Sequence, residues 1–170
     1  MAFNTIRLKN YINIFEEYEA ESAIIPGELI ELTTTGTVQV HSTEGGNSEK
    51  MFAIEDELQG KGIDDAYAAG DQVQCWLPVS GDQVYAILED GNSVAIGNFL
   101  ESNGTGELQL HVSDTADSDD SITVYPEQIV AVALEAVDLS GSSGDESSGW
   151  GFDSSIAVLG FNRRIKVRVV

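Results

Sequence analysis

Hydrophobic and polar residues alternate with a period of two in several short segments of the chain, which is typical of strands that bury one face. The clearest alternation covers residues 164–169, where three aliphatic residues are interleaved with three basic ones. A second covers Val73, Cys75 and Leu77 and ends at Pro78, which cannot donate a ladder hydrogen bond. These patterns predict short strands with one apolar face each.

Turn-forming residues separate the predicted strands at short intervals. Pro26-Gly27 marks a turn, and residues 28–32 and 37–41 then form two strands of a predicted hairpin joined by residues 33–36. Segments of similar length follow along the rest of the chain. Short strands with turn signals between them indicate an all-β domain, either a barrel or a sandwich.

Two segments leave the type of element open. Residues 1–22 contain no glycine or proline, and they are compatible with a short helix or an extended arm. Their apolar residues at helical spacing are Tyr11, Ile14, Phe15 and Tyr18. The apolar run 129–137 is a buried strand or a helix, since its alanines and valines fit both. We expect an N-terminal arm over residues 1–22 and a single β domain with long surface loops over residues 23–170.

The charge of the chain is far from balanced. It has 29 acidic and 8 basic residues, a formal net charge of −21. Such a field repels nucleic acid and anionic lipid, so we expect neither nucleic acid nor membrane as a partner. The single cysteine, Cys75, excludes an internal disulfide, and its place on a predicted strand favours a small buried hydrophobe.

The few basic residues lie near the two ends of the chain. Arg7 and Lys9 are close to the start, and four more basic residues fall within residues 163–168. Two interpretations are open. A basic terminus of one subunit contacts the acidic body of another subunit or an acidic shell beneath it, or the cationic last strand pairs with acidic neighbours in its own sheet.

The sequence contains no recognisable catalytic constellation. His41 and His111 each lie on a predicted strand, and neither is beside a plausible nucleophile. The chain has no nucleophile elbow and no phosphate-binding loop. We therefore expect a protein that is not an enzyme and that needs no cofactor.

An acidic segment could offer oxygens to calcium, a cation that prefers carboxylates. Its aspartates are Asp114, Asp117, Asp119 and Asp120. Counted from Asp117, the sixth residue is Ile122 and the twelfth is Gln128, so the glycine and glutamate of an EF-hand loop are missing. A solvated acidic loop without a metal is the favoured interpretation.

An ordered series of glycine-punctuated motifs runs from residue 26 to residue 106 and is followed by the basic closing strand. Its members are Pro26-Gly27-Glu28, Glu55-Asp56-Glu57-Leu58-Gln59-Gly60, Ala68-Ala69-Gly70-Asp71, Asp90-Gly91 and Leu100-Glu101-Ser102. This series resembles the head decoration (cement) proteins of tailed bacteriophages. The segment 145–152 departs from the pattern and resembles an insertion.

The resemblance implies a small β-barrel of the β-tulip kind that forms homotrimers on the outer face of an icosahedral phage head. The implied partners are the major capsid protein and further copies of the chain, and the implied location is the virion exterior after synthesis in the host cytoplasm. We expect the capsid or trimer interface to use the first segment and the closing strand. The candidate residues are Ile6, Arg7, Leu8, Lys9, Tyr11, Phe15, Arg164, Lys166 and Arg168.

A second function class stays open at this point. A surface-exposed β module that binds a receptor or a glycan would also suit an acidic domain without catalytic motifs. Its contact would be Trp150 and Phe152, two aromatic residues in a Ser/Gly-rich segment. The alternative interpretation is that these aromatics anchor the segment to its own domain.

Overall fold

The structure is a computed structural model that describes residues 3–113, 125–140 and 164–170. Within these residues the chain forms short strands and one 3-10 turn, and it has no α-helix. The strands are β1 (Arg7–Lys9), β2 (Phe15–Glu19), β3 (Leu29–Leu32), β4 (Val38–Val40), β5 (Met51–Ala53), β6 (Gln72–Trp76), β7 (Gln83–Ile87), β8 (Ser93–Val94), β9 (Phe99–Ser102), β10 (Leu108–Leu110), β11 (Ala131–Ala133), β12 (Val137–Asp138) and β13 (Arg164–Val169). The 3-10 turn covers Glu57–Gln59. The expected all-β class is confirmed.

Two large antiparallel sheets and one small one organise these strands. The six-stranded sheet has the order β1-β7-β13-β11-β9-β10, and the five-stranded sheet has the order β2-β6-β5-β3-β4. Strands β12 and β8 pair separately. An isolated parallel bridge between Leu88 and Leu108 also links the end of β7 to the start of β10. The last strand in sequence, β13, lies in the middle of the six-stranded sheet, so the chain terminus is part of the central scaffold.

The main core contains side chains from both large sheets. Ile165, Val167 and Val169 of β13 are buried in it together with Phe52 and Trp76 of the five-stranded sheet. Burial of each large aliphatic side chain stabilises the fold by about 1.5–3 kcal/mol. The alternation of aliphatic residues predicted for β13 is therefore confirmed.

A second core covers the other face of the five-stranded sheet. Met51, Val73 and Cys75 are buried there with Tyr67, which comes from the connection between the 3-10 turn and β6. The Tyr67 hydroxyl donates a hydrogen bond of 2.7 Å to the Ile54 carbonyl oxygen. Because this sheet is covered on both faces, β6 buries side chains on each of them: Val73 and Cys75 lie in the second core, and Trp76 lies in the main core. The expectation of a buried Cys75 is confirmed.

The hairpin predicted between residues 28 and 41 is confirmed, with β3 and β4 in the register Ile30 to Val40 and Leu32 to Val38. The backbone of Leu29, in β3, lies close to that of Gly106, just before β10, and this contact fixes the position of the hairpin. The Gly106 carbonyl accepts the Leu29 amide at 2.7 Å, and Gly106 has a φ of +87°. A Cβ atom at residue 106 would lie 2.9 Å from Val40 Cβ, so only glycine fits without a shift of the hairpin.

The apolar run 129–137 forms strands rather than a helix. Strand β11 lies between β13 and β9 and is buried throughout, and β12 follows it at Val137. The strand interpretation of this run is therefore confirmed. Its β-branched valines and small alanines fit a sheet that is packed on its inner face.

The first segment of the chain is extended, and the helical interpretation of it is wrong. Strand β1 pairs with β7 of one sheet and β2 pairs with β6 of the other. Ile6 is fully buried, and its amide donates to Glu55 Oε2 at 3.0 Å. The described part of residues 1–22 is thus incorporated into both sheets. These contacts give no support to a separate arm that ends at residue 22. That boundary stays a prediction.

Candidate interaction surface

The connection between β1 and β2, together with the first residue of β2, carries four exposed apolar side chains. We call these residues the apolar strip: Tyr11, Ile12, Ile14 and Phe15. Tyr11 and Ile12 are 62% and 54% exposed. Single exposed hydrophobic residues are normal on protein surfaces, but a contiguous group is typical of a contact with another molecule.

Two cations lie against the aromatic rings of the strip. The Arg7 guanidinium carbon is 4.8 Å from the centroid of the Phe15 ring, and Lys9 Nζ is 4.8 Å from that of Tyr11. Such cation–π contacts contribute about 0.5–1 kcal/mol at exposed sites. Neither cation forms an ion pair within the described residues. The strip is therefore both apolar and basic, in a chain whose net charge is −21.

Buried carboxylates hold the strip in place. Asp82 is fully buried at the turn before β7, and it accepts the Tyr11 amide at 2.7 Å and the Val79 amide at 2.9 Å. Glu55 binds the chain on the other side of β1, where it accepts the Ile6 amide and the Thr5 hydroxyl. Hydrogen bonds from backbone amides to ionised carboxylates are stronger than neutral ones. The strip is consequently fixed to the domain at both ends of β1.

A shallow cavity of about 190 Å³ lies beside the strip, between the edges of the two sheets. Its lining includes Arg7, Phe15, Gln74 and Leu58, and the Leu58 side chain is 99% exposed at its rim. The buried Nε of Arg7 has no hydrogen-bond partner among the described residues. The cavity therefore offers an apolar wall and a guanidinium donor to whatever covers the strip, and its lining also includes Glu55, Asp56 and Glu57.

The structure divides the predicted interface residues into three groups. Lys9, Tyr11, Phe15 and Arg168 are exposed, Arg7, Leu8 and Lys166 are half-buried, and Ile6 and Arg164 are buried. Arg164 is held inside the domain by Asp64 and by backbone carbonyls, so its guanidinium is used within the chain.

The two basic ends of the chain meet across β7. Lys9 of β1 is opposite Gln83, and Gln83 is opposite Arg168 of β13. A register shift between Arg7 and Lys9 breaks the usual rule that residues two apart share a face. Arg7 is thereby opposite the inward-facing Val84, while Lys9 shares the outer face with Arg168.

Sequence reasoning missed several residues of this surface. Ile12 and Ile14 belong to the strip, and Leu58 lies at the cavity rim. The two isoleucines could have been found from their position between Tyr11 and Phe15. Leu58 could not, because only the tertiary structure brings the 3-10 turn next to β2.

A histidine and a serine do form a pair, although neither histidine was expected beside a nucleophile. His41 Nδ1 is 2.8 Å from Ser102 Oγ, and His41 Nε2 is 2.9 Å from the Asn47 carbonyl oxygen. Both side chains are buried. Because both side chains are buried, a substrate has no access to Ser102 Oγ, and the contact ties the end of β4 to β9.

Other candidate chemistry is limited within the part of the chain that the structure describes. No group of three or more His, Cys, Asp or Glu side chains there has the arrangement of a metal site. Within the same residues, no helix has the length and apolar content needed to cross a membrane. The acidic segment of the possible calcium loop and the segment with Trp150 and Phe152 lie outside the described residues.

Comparison with known proteins does not place the chain in a family. No protein-family model and no curated protein matches it.

Proposed function

We propose that the protein is a virion structural protein that binds the outer surface of an icosahedral phage head as a homotrimer and stabilises the shell. The ordered motifs between residues 26 and 106 and the closing basic strand support this proposal through their resemblance to head decoration proteins. The observation that carries it is the apolar strip with Arg7 and Lys9 against its rings, since neither cation has an ion pair among the residues that the structure describes. A surface of this kind fits a protein partner with apolar and acidic groups.

The mechanism is the addition of buried area between shell subunits. Each square ångström of apolar surface that the strip buries contributes about 25 cal/mol before the costs of ordering are subtracted. A homotrimer presents the strip three times, so one trimer links several neighbouring subunits with an avidity greater than that of a single contact. Repetition over all equivalent sites of the head then turns a modest interface into a large total stabilisation.

The remaining features fit the same role. An acidic exterior keeps densely coated particles from associating with one another. The bridge between Leu88 and Leu108 joins the end of β7, the second strand of the six-stranded sheet, to β10 at its far edge, and it supports the finer proposal of a closed β-barrel. The central position of β13 holds the basic closing strand within the six-stranded sheet.

Binding of strip variants to heads that lack the protein tests the proposal. Ile12→Ser combined with Ile14→Ser removes exposed apolar area without touching the core. Leu32→Ser is the matched control, because Leu32 is 45% exposed on the five-stranded sheet, away from the strip. We expect the double variant to bind heads at least about tenfold more weakly than the control, since exposed interface anchors carry most of the binding energy.

Equal binding of the double variant and the control would remove the strip as the contact. If the wild-type protein binds no heads but gives specific signals on a glycan array, the surface-binding module becomes the better account.

A further inference from the structure

Three consecutive carboxylates lie in the lining of the shallow cavity beside the apolar strip. They belong to Glu55, Asp56 and Glu57, and the one cation of the lining is Arg7, in a volume of about 190 Å³. The formal charge of the cavity is therefore negative. The three carboxylates differ in the hydrogen bonds that they already accept, and this difference decides which of them can bind a ligand.

Glu55 is satisfied within the chain, whereas Asp56 has an oxygen to spare. Both oxygens of Glu55 accept hydrogen bonds from the segment before β1. Asp56 is only 4% exposed, and its Oδ1 accepts the Gln59 amide at 3.2 Å at the start of the 3-10 turn. Its second oxygen, Oδ2, has no hydrogen-bond partner among the described residues and is not enclosed by them. A nearly buried carboxylate thus opens one oxygen to the cavity.

No lysine or arginine of the described residues forms an ion pair with Asp56 or with the exposed Glu57. The guanidinium of Arg7 lies over the Phe15 ring instead, with its carbon 4.8 Å from the ring centroid. A carboxylate that is nearly buried costs free energy unless a cation or a donor pairs with it. Asp56 and Glu57 therefore favour a positively charged group in this cavity.

The other walls of the cavity suit the aliphatic part of a long side chain. Phe15 is 40% exposed, Leu58 is exposed at the rim, and Ile54 also contributes to the lining. Lysine and arginine bury an aliphatic stem along apolar surface while the charged end contacts polar groups. The cavity combines the apolar and the acidic surface that such a side chain needs.

We infer that the cavity accepts a lysine or arginine side chain of the shell protein to which the apolar strip binds. The cationic end pairs with Asp56 Oδ2 and with the Glu57 carboxylate, and the aliphatic stem packs on Phe15 and Leu58. The inference rests on the proposed head contact, because the cavity adjoins the strip. It adds the kind of side chain that the partner presents at this point.

Neighbouring charges of opposite sign fix the alignment of the contact. Arg7 and Lys9 of the strip favour acidic groups of the partner, while the cavity favours a basic one. A partner that is displaced along the surface brings like charges together, which disfavours the wrong alignment. The partner surface should therefore carry a basic side chain next to its acidic ones.

Titration of the isolated protein with small cations tests the site without heads. n-Butylammonium and n-propylguanidinium carry the charged ends of lysine and arginine, and n-butyrate and n-butanol are the anionic and neutral controls. We expect both cations, and neither control, to shift the NMR signals of the Leu58 methyl groups and of the Gln74 side-chain amide, which lines the cavity, in a saturable way. The affinities of the two cations then show which charged end the cavity prefers.

Two charge-matched variants sharpen the titration. Asp56→Asn with Glu57→Gln removes both charges, and asparagine keeps an oxygen for the Gln59 amide. Glu19→Gln with Glu49→Gln is the control, because it changes the net charge equally at exposed positions outside the lining. We expect the cavity variant to bind the small cations at least about tenfold more weakly than the control. If the cavity variant does not fold, the exposed substitution Glu57→Gln alone replaces it.

Binding of the same variants to heads that lack the protein separates this inference from the proposed function. We expect the cavity variant to bind heads at least about tenfold more weakly than the control. Equal head binding of the two variants, or small cations that shift no signal of the cavity, overturns the inference while the proposed head contact stands. A wild-type protein that binds no heads overturns both the proposed function and the shell protein as the source of the side chain.

Discussion

The guanidinium of Arg164 and the carboxylate of Asp64 form an ion pair inside the domain, with Nη1 2.7 Å from Oδ1. Arg164 is 2% exposed, and it also donates to the carbonyl oxygens of Pro26, at 3.1 Å, and Ile63. One side chain at the start of β13 therefore joins the closing strand to the turn before β3 and to the segment that follows the 3-10 turn. Its positive charge is neutralised within the chain.

We expect Arg164→Met to lower the free energy of unfolding by about 3–5 kcal/mol, because it leaves a carboxylate and two carbonyls without their donor. Arg168→Met is the matched control on the same strand, since Arg168 is exposed, and it should change stability by less than about 0.5 kcal/mol. Urea unfolding followed by circular dichroism measures both values. Equal effects of the two substitutions would contradict the structural role of Arg164.

The closing strand illustrates how far the sequence predicts this fold. Its period-two pattern correctly predicted the strand and its inward-facing aliphatic residues. The pattern could not separate Arg164 from Arg168, because the partner of Arg164 is Asp64, 100 residues away. In the same way, the common face of Lys9 and Arg168 depends on the register of β1, β7 and β13, which are not consecutive in the chain. Local periodicity contains no information about such register.

The first segment shows the opposite case, in which a local pattern was misleading. The spacing of Tyr11, Ile14 and Phe15 fits a helix, but the amides of this segment are bound by side chains that are distant in sequence. Asp82 accepts the Tyr11 amide, and Glu55 accepts the Ile6 amide. These tertiary hydrogen bonds favour the extended chain over the weak helical propensity of the segment.

The burial of Ile6 predicts that the first segment contributes to the stability of the domain. We expect Ile6→Ala to cost about 2–5 kcal/mol, because it leaves a cavity in the main core. Ile12→Ala, at an exposed position of the same segment, should cost less than about 0.5 kcal/mol. Thermal unfolding of the two variants distinguishes them. If both are neutral, the segment behaves as a detachable arm, and its place in the core is incorrect.

The Glu31 carboxylate predicts a dependence of stability on acid pH. Burial alone would raise the pKa of Glu31, but hydrogen bonds from Ser42 Oγ, at 2.6 Å, and Gln39 Nε2, at 2.7 Å, outweigh it and hold the pKa below its ordinary value. A depressed pKa in the folded state stabilises the fold above the unfolded pKa of about 4.3 and loses this contribution as the pH falls through the folded pKa.

We therefore expect Glu31→Gln to be less stable than wild type at neutral pH, with a difference that shrinks as the pH falls below about 4. Ser42→Ala should also lower the stability at neutral pH and lose this effect in acid, because it removes a hydroxyl donor to Glu31. The urea midpoints of wild type and both variants, measured across this pH range, test the direction of the change in stability. A difference that stays constant with pH would show that the carboxylate is not stabilised in the folded state.

Cys75 provides a probe of the second core. Burial raises the pKa of its thiol to about 12, and the side chain has no exposed surface. Because the thiolate is the reactive form, we expect no labelling of the native protein by a disulfide reagent at pH 8 and complete labelling in urea. Rapid labelling under native conditions would show that the covering residues around Tyr67 open easily.

The stability of heads with and without the protein tests the central claim most directly. Heads assembled without it should have normal geometry, yet they should release DNA or break at a lower temperature than decorated heads. Purified protein added back should restore the stability up to a saturating stoichiometry, and the variant Ile12→Ser with Ile14→Ser should restore it less well than Leu32→Ser. Undecorated heads that are as robust as decorated ones would contradict the stabilising role.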